Sequence, residues 1–371
     1  MGPSGLNRRT AVDYVVRGGT VVTARGAMRA DLWVRGGKVE RVVASDEEQE
    51  TVIRDVPALD AEGAWITPGW VLTNGSFAAA TSAPYREQLG AWIRRGVTTV
   101  VEAVDPRQGP LSDVIDRGCA VHFNSCLDYG LKLDVPFEAV NRFLFSYAGR
   151  HGLRLVDVRV RDPQHFGHSR WGELLWAAKN HGLRLVLRPD SPHPQDSSEG
   201  LRWLSRWAAR ASEGVSGYTP PVVAWPFERP DRPVSLPEGL SVACTLTGTG
   251  EGVTGDPRVI ALCLPEEPAK ARWDVPAERA HNALVEAVRL LATNPAKLAG
   301  LYPQKGCLAP GSDADFLLFR YRDGRLPLFA PDAVAVRGVF VGSEPFRALS
   351  PGSGRLLSSR PAHLYALSAP L

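Results

Sequence analysis

The stretch Ala64–Ala80, AWITPGWVLTNGSFAAA, decides how the chain reads. An apolar run, Trp65-Ile66-Thr67, meets a Pro68-Gly69 corner. A second apolar run, Trp70-Val71-Leu72, follows and leads into a small polar segment from Thr73 to Ser76. Short apolar runs of this kind, bounded by Pro and Gly, read as buried strands.

Upstream, residues 11–66 read as a small β-domain. VDYVVRGGTVVTARGAMRADLWVRGGKVERVVA divides into four short strands at Gly18-Gly19, Gly26 and Gly36-Gly37. The alternation in Asp31-Leu32-Trp33-Val34-Arg35 and in Lys38-Val39-Glu40-Arg41-Val42 has the period of two of half-buried strands.

Downstream, from Pro68 to about Leu301, strands alternate with helices, the sign of a parallel sheet. Strands are expected at Val97–Val104, Ala120–Leu127, Leu153–Val160, Leu183–Leu187, Pro221–Trp225, Leu240–Leu246 and Val259–Leu264. With Trp65–Thr73 as the first they number eight, which suits a closed (β/α)8 barrel. Helices are expected at Ala83–Gly96, about Pro136–His151, Arg170–His181 and Leu201–Ala211. A helical pair, Ala277–Thr293 and Pro295–Leu301, closes the barrel. A strand pair in Ala333–Gly342 and a Pro/Ser/Gly-bearing tail from Arg347 end the chain.

The 371 residues suffice for a large α/β domain with a smaller one. Forty-three basic against 40 acidic residues, without a basic run, give no case for nucleic acid. No apolar run approaches the roughly 20 residues of a membrane span, and the start has no secretory h-region. The five cysteines are never spaced as C-x-x-C and read as free thiols of a cytoplasmic protein.

Two motifs resemble the amidohydrolase superfamily, in its dihydropyrimidinase and hydantoinase branch. One is the strand-and-corner at Pro68-Gly69, which resembles P-G-x-x-D-x-H-x-H. The more specific is NPAKLAGLYPQKGCLAPGSDADFLLF, Asn294–Phe319, which resembles N-x-A-K-x-x-x-L-Y-P-x-K-G-x-x-x-x-G-x-D-A-D. The resemblance implies a (β/α)8 barrel over residues 67–304. It also implies a β-sandwich shared by residues 11–66 and 305–350, and a tail, 351–371, of the kind that commonly lies on a neighbouring subunit.

The same resemblance implies a binuclear metal centre at the C-terminal ends of the barrel strands, where this sequence departs from the pattern. Leu72 stands at the Asp of the first motif, and Asn74 and Ser76 at its two histidines. Asp157 stands at the bridging lysine and Asp162 at a substrate-binding tyrosine. Arg188 and Asp190 replace the His and acid of a later strand, and Leu246 replaces a late Asp. No H-x-H occurs in the chain. His165-x-x-His168 offers an alternative site for one zinc or other divalent ion, against a plain polar-loop reading. Glu102, Asp157, Arg188 and Asp190 are pocket candidates, with an Asp157–Arg188 salt bridge expected where metals would sit.

The expectation is a catalytically silent hydantoinase-like protein with no cofactor. It would act as a structural or regulatory subunit, as a homo-oligomer or with an active relative. A cyclic-amide hydrolase with a reduced site and a small-molecule sensor are the alternatives, which fold alone does not separate. The glycine-rich GTGEGVTG, Gly248–Gly255, reads as a loop.

Overall fold

A computed structural model describes residues 13–44, 56–75, 77, 83–162, 164–165, 168–189, 222–225, 241–245, 259–264, 268–342 and 348–361. The first strands are β1 (Tyr14–Thr23), β2 (Gly26–Arg35), β3 (Lys38–Ala44), β4 (Ala58–Asp60) and β5 (Trp65–Pro68). Then come β6 (Trp70–Gly75), β7 (Val97–Val104), β8 (Asp128–Pro136), β9 (Leu155–Val160) and β10 (Arg184–Pro189). They are followed by β11 (Val222–Trp225), β12 (Ser241–Thr245), β13 (Val259–Cys263) and β14 (Asp274–Pro276). The last are β15 (Phe316–Phe319), β16 (Arg325–Pro327), β17 (Ala333–Val336) and β18 (Val339–Val341). Four helices, α1 (Ala83–Arg94), α2 (Leu111–Val121), α3 (Arg142–Arg150) and α4 (Arg170–Asn180), lie between the early barrel strands.

Strands from both ends of the chain form one eight-stranded sheet in the order β18-β17-β15-β5-β1-β2-β3, with β4 beside β1. Its two ends fold over a shared core in which Val16, Leu32 and Val39 meet Phe316 and Ala335. The second sheet runs β6 to β13 in sequence order, all parallel. At its seam, the Asn74 amide beside the end of β6 donates to the Leu264 carbonyl just beyond β13 (2.7 Å). The architecture is α/β, a curled (β/α)8 sheet with a sandwich built from the chain's two ends.

The corner at Pro68-Gly69 joins the two. The expected single strand Trp65–Thr73 is in fact two, because the chain changes sheets here. β5 pairs with β1 and β15, whereas β6 pairs with β7. A Cβ on Gly69 would lie 2.1 Å from Oγ1 of Thr98, so a side chain there would push the corner off β7.

The third barrel strand also differs from expectation. Ala120–Leu127 is the end of α2 and a turn, and the strand is Asp128–Pro136. Its sequence, DYGLKLDVP, alternates charged and apolar residues. Tyr129, Leu131, Leu133 and Val135 pack outward under the helices, leaving Asp128, Lys132 and Asp134 to face inward. A rule that favours unbroken apolar runs for covered strands drew the expectation to the wrong segment. The downstream helix accordingly starts later, at Arg142, where the Asn141 side chain caps it by accepting from Leu144 N (2.9 Å). The Trp-rich segment Leu201–Ala211 lies outside the described residues.

The base of the barrel is sealed by the chain's last described segment. Tyr129 N donates to the Arg355 carbonyl (2.9 Å) and Leu357 N to the Tyr129 carbonyl (2.7 Å). Leu357 is thereby inserted among Val71, Val101, Leu155 and Val186. A Cβ on Gly354 would fall 2.0 Å from the Leu127 carbonyl oxygen. Residues 348–361 thus dock under their own barrel, and the rest of the tail expected to reach a neighbouring subunit, 362–371, lies outside the described residues.

The Asn294–Phe319 motif supplies the base's charges. Lys305, fully buried, lies 2.7 Å from Asp315, 2.8 Å from Asp128 and 3.0 Å from Asp313. Arg355 bonds Asp128 and lies 2.7 Å from Asp313, and Arg337 sits 3.5 Å from Asp128. Burial opposes ionisation of Asp128, but Lys305, Arg355 and Arg337 outweigh it and hold its carboxyl well below the usual range. Burial likewise opposes the Lys305 charge, and the surrounding carboxylates overcome it, raising its pKa. The described free thiols, Cys119, Cys126 and Cys307, are all shifted upward by burial, Cys126 to about 12. Among the described residues, no helix is long and apolar enough to cross a membrane.

Candidate functional site

In a (β/α)8 barrel, side chains at the C-terminal ends of the strands share one mouth, and alternate residues of each strand point into it. Leu155 of β9 and Val186 of β10 lie in the barrel's interior core, whereas Val156, Val158, Leu185 and Leu187 pack outward. By the same alternation Asp157, Arg159 and Arg188 point inward, nearer the mouth. They meet Lys132 and Asp134 of β8 there.

The centre of this group is Asp157, buried and shared by two cations. Lys132 Nζ donates to its Oδ2 at 2.6 Å and Arg188 Nη1 to the same oxygen at 3.3 Å. Lys132 is only 3% exposed at its side chain, while that of Arg188 is 42% exposed. The expected Asp157–Arg188 pair is therefore present, with a third member that sequence reasoning missed. Lys132 was hidden because its strand had been placed one element too early. The signal that could have found it is the D-x-G-x-K-x-D alternation from Asp128 to Asp134.

A second set lies alongside. Arg159 Nε approaches Asp134 Oδ1 to 2.9 Å, and Arg159 Nη2 lies 3.6 Å from Asp105 Oδ2. Asp105 is in turn bonded by Arg107 at 2.6 Å. The Arg159–Asp134 approach is a charge contact without hydrogen-bond alignment, and both facing atoms are buried without a hydrogen-bond partner. Burial and neighbouring Asp157 push the Asp134 carboxyl upward, against the pull of Arg159, Arg188 and Lys132. Hydrogen bonds from Arg107 hold Asp105 below its usual value.

Other expected site residues lie elsewhere. Glu102 shares the outward face of β7 with Val100 and Val104 and is not in the mouth. It sits in the strand–helix layer, accepting from Phe77 N (3.2 Å), with His122 Nε2 3.5 Å away. His122 ends α2 and bonds Tyr85 through Nδ1 (2.9 Å). Asp162 is an exposed rim residue whose side chain accepts from Gln164 N (2.8 Å), closing a turn. Asn74 holds the barrel seam through Leu264. Ser76, Asp190 and Leu246 lie outside the described residues.

His165 and His168 form a rim cluster with Phe137, at ring distances of 4.9 and 5.6 Å. His165 lies 3.4 Å from Glu138, and its carbonyl accepts from the Trp171 indole (2.7 Å). His168 Nδ1 accepts from Arg170 N (3.2 Å), at the start of α4. Among the described residues, no three His, Cys, Asp or Glu side chains gather as a cation site. Among the described residues of the mouth, the carboxylates are engaged by Lys132 and three guanidiniums. That donor set does not fit a binuclear metal centre.

The comparisons with known proteins agree with the fold. Residues 259–349 match the amidohydrolase family. A D-hydantoinase of Streptomyces coelicolor is 22% identical, over 82% of this chain and 85% of its own. A dihydropyrimidinase of Arabidopsis thaliana is 21% identical, over 82% of this chain and 74% of its own. A solved D-hydantoinase (dihydropyrimidinase) from Thermus sp. superposes with a TM-score of 0.64 at 17% identity, covering 94% of this chain and 100% of that one. In its fold and in its C-terminal sequence, the chain is amidohydrolase-like, of the hydantoinase and dihydropyrimidinase kind.

Proposed function

We propose that this chain is a hydantoinase-like protein without the binuclear centre, serving as a structural or regulatory subunit. The observation that carries this reading is the Lys132–Asp157–Arg188 cluster. Asp157 stands where the resemblance puts a bridging metal ligand, and two cations already lie within bonding distance of one of its oxygens. A divalent ion placed there would face both positive charges in a partly desolvated site, where repulsion is weakly screened. In this reading, protein cations stand at Asp157 in place of metal. If the protein were a catalyst, its relatives' names point to hydrolysis of cyclic amide bonds. The partner in this reading is a second copy of the chain or an active hydantoinase-like relative.

The test is the metal content of purified, untagged protein grown with zinc and manganese supplied, alongside turnover of hydantoin and dihydrouracil. Metal well below one equivalent with no turnover is the expected result. Near one equivalent with turnover overturns the reading, whatever the assembly state by light scattering.

A further inference from the structure

We propose that Glu102 and His122 form a latch, tightened by acid, that fastens Phe77 and α1 to the outer face of β7. It lies behind the barrel wall and does not depend on the metal-free reading of the mouth.

Three elements supply the parts. Glu102 comes from β7, His122 from the end of α2 and Tyr85 from α1. Glu102 Oε1 accepts from Phe77 N at 3.2 Å, and His122 Nδ1 and the Tyr85 hydroxyl share a hydrogen bond of 2.9 Å. The path Phe77–Glu102–His122–Tyr85 thus begins and ends on the segment that enters α1. The rings of Phe77 and Tyr85 close it at 5.6 Å.

Its middle link is unfinished. Glu102 Oε2 and His122 Nε2 face each other at 3.5 Å, and neither buried atom has a hydrogen-bond partner. The two side chains are 8% and 0% exposed, so bulk water does not complete them. A Cβ on Gly75 would come within 3.0 Å of Glu102 Oε2, so the end of β6 closes that side. Polar atoms left in this state are costly.

Protonation of the ring completes the link. A neutral imidazole donates from one nitrogen and accepts at the other, whereas the cation donates from both. The second proton puts a positive charge beside a buried carboxylate and turns a long contact into a charge-assisted bond, the stronger kind. The Tyr85 hydroxyl stays bonded to Nδ1 by turning its hydrogen toward Ser125, its other partner.

The other described titratable groups around the ring do not compete. They are Tyr85 of α1, Tyr129 of β8, stacked on the ring at 4.5 Å, and Cys119 and Cys126 on either side of the turn after α2. Burial pushes all four upward, so they stay uncharged at neutral pH. Asp116 and Arg337 act on the two cysteines. Glu102 is the charge that answers an imidazolium.

The experiment follows amide exchange of the full-length protein by mass spectrometry, corrected for the intrinsic rate, from about pH 8 to about pH 5.5, across the ordinary range of histidine. Protection of the segment holding Phe77 is expected to rise about tenfold toward acid, the worth of one charge-assisted bond. Segments from β1 and β2 should show no such step, which separates the latch from global stability. His122→Gln and Glu102→Gln should each abolish the step. If His122→Gln does not fold, Glu102→Gln decides, because it keeps the size and the acceptor for Phe77 N.

Nitrogen-15 spectra of labelled histidine, with the His122 ring identified by its loss in His122→Gln, should show that ring titrating over the same range. A ring that stays neutral throughout overturns the proposal. So does equal protection at both ends of the range, or a step that survives Glu102→Gln.

Discussion

The molecule carries two charged clusters at opposite ends of one barrel, and they are finished differently. At the base, Lys305 lies among Asp128, Asp313 and Asp315, and the donors of the flanking arginine end on protein acceptors. Arg337 donates to the Ser353 carbonyl (2.6 Å) and Ser353 Oγ (3.2 Å) as well as approaching Asp128. At the mouth, Asp157 is equally buried, but Arg159 and Asp134 face each other without an aligned bond; Arg188 reaches solvent, as Arg355 does at the base. A buried charge cluster is stable only when its members satisfy one another. The base meets that condition and ties β8 to the Asn294–Phe319 motif and the tail. The mouth meets it in part.

The largest expected effect tests the base. Lys305→Met leaves three carboxylates buried without their common cation and should cost about 3–5 kcal/mol, read from urea unfolding. A loss below about 1 kcal/mol would remove the distinction between the two clusters. Next comes the tail that seals the base. Gly354→Ala forces a methyl group against the Leu127 carbonyl and should cost about 1–3 kcal/mol, with earlier proteolysis after residue 348.

A pH series sharpens the contrast further. The folded pKa of Asp128 is depressed, so folding favours its ionised form. Its stabilisation is fully present above the unfolded value of about 3.9 and is lost as pH falls through the folded value. Unfolding measured from roughly pH 5 down to pH 3 should show a loss on the order of 1 kcal/mol that Asp128→Asn lacks. Asp134 has the opposite sign: its raised folded value means that its contribution to stability grows as pH falls, so Asp134→Asn should be more stable near neutral pH and show a larger net acid loss. The smallest effect belongs to Arg188→Gln, whose half-exposed ion pair should change ligand-free stability by less than about 1 kcal/mol. A larger cost would make the mouth a second structural lock.

Much of this arrangement was legible beforehand, and the failures have identifiable causes. The Pro68-Gly69 corner, the C-terminal motif and the Asp157–Arg188 pair were read correctly because each depends on near neighbours or on strands whose order follows the chain. Lys132 was missed because a strand with an inward charged face does not look like a covered strand. Glu102 was assigned to the pocket because a sequence alone does not say which parity of β7 faces inward. It turned out to belong with Phe77 and His122 outside the wall.

The sequence by itself determined most of the described elements, their parallel order and the class of fold, since periodicity and turn residues act locally and parallel strands linked by helices admit few arrangements. It also put Asp157 and Arg188 on adjacent barrel strands within reach of each other. Only the tertiary structure decided which charges meet. The Lys132–Asp157 contact, the Lys305–Asp128 contact and the insertion of Leu357 beneath the barrel join residues 25 to more than 200 positions apart. Their pairing is set by strand register and by the closing of the sheet, and no local pattern in the chain encodes either.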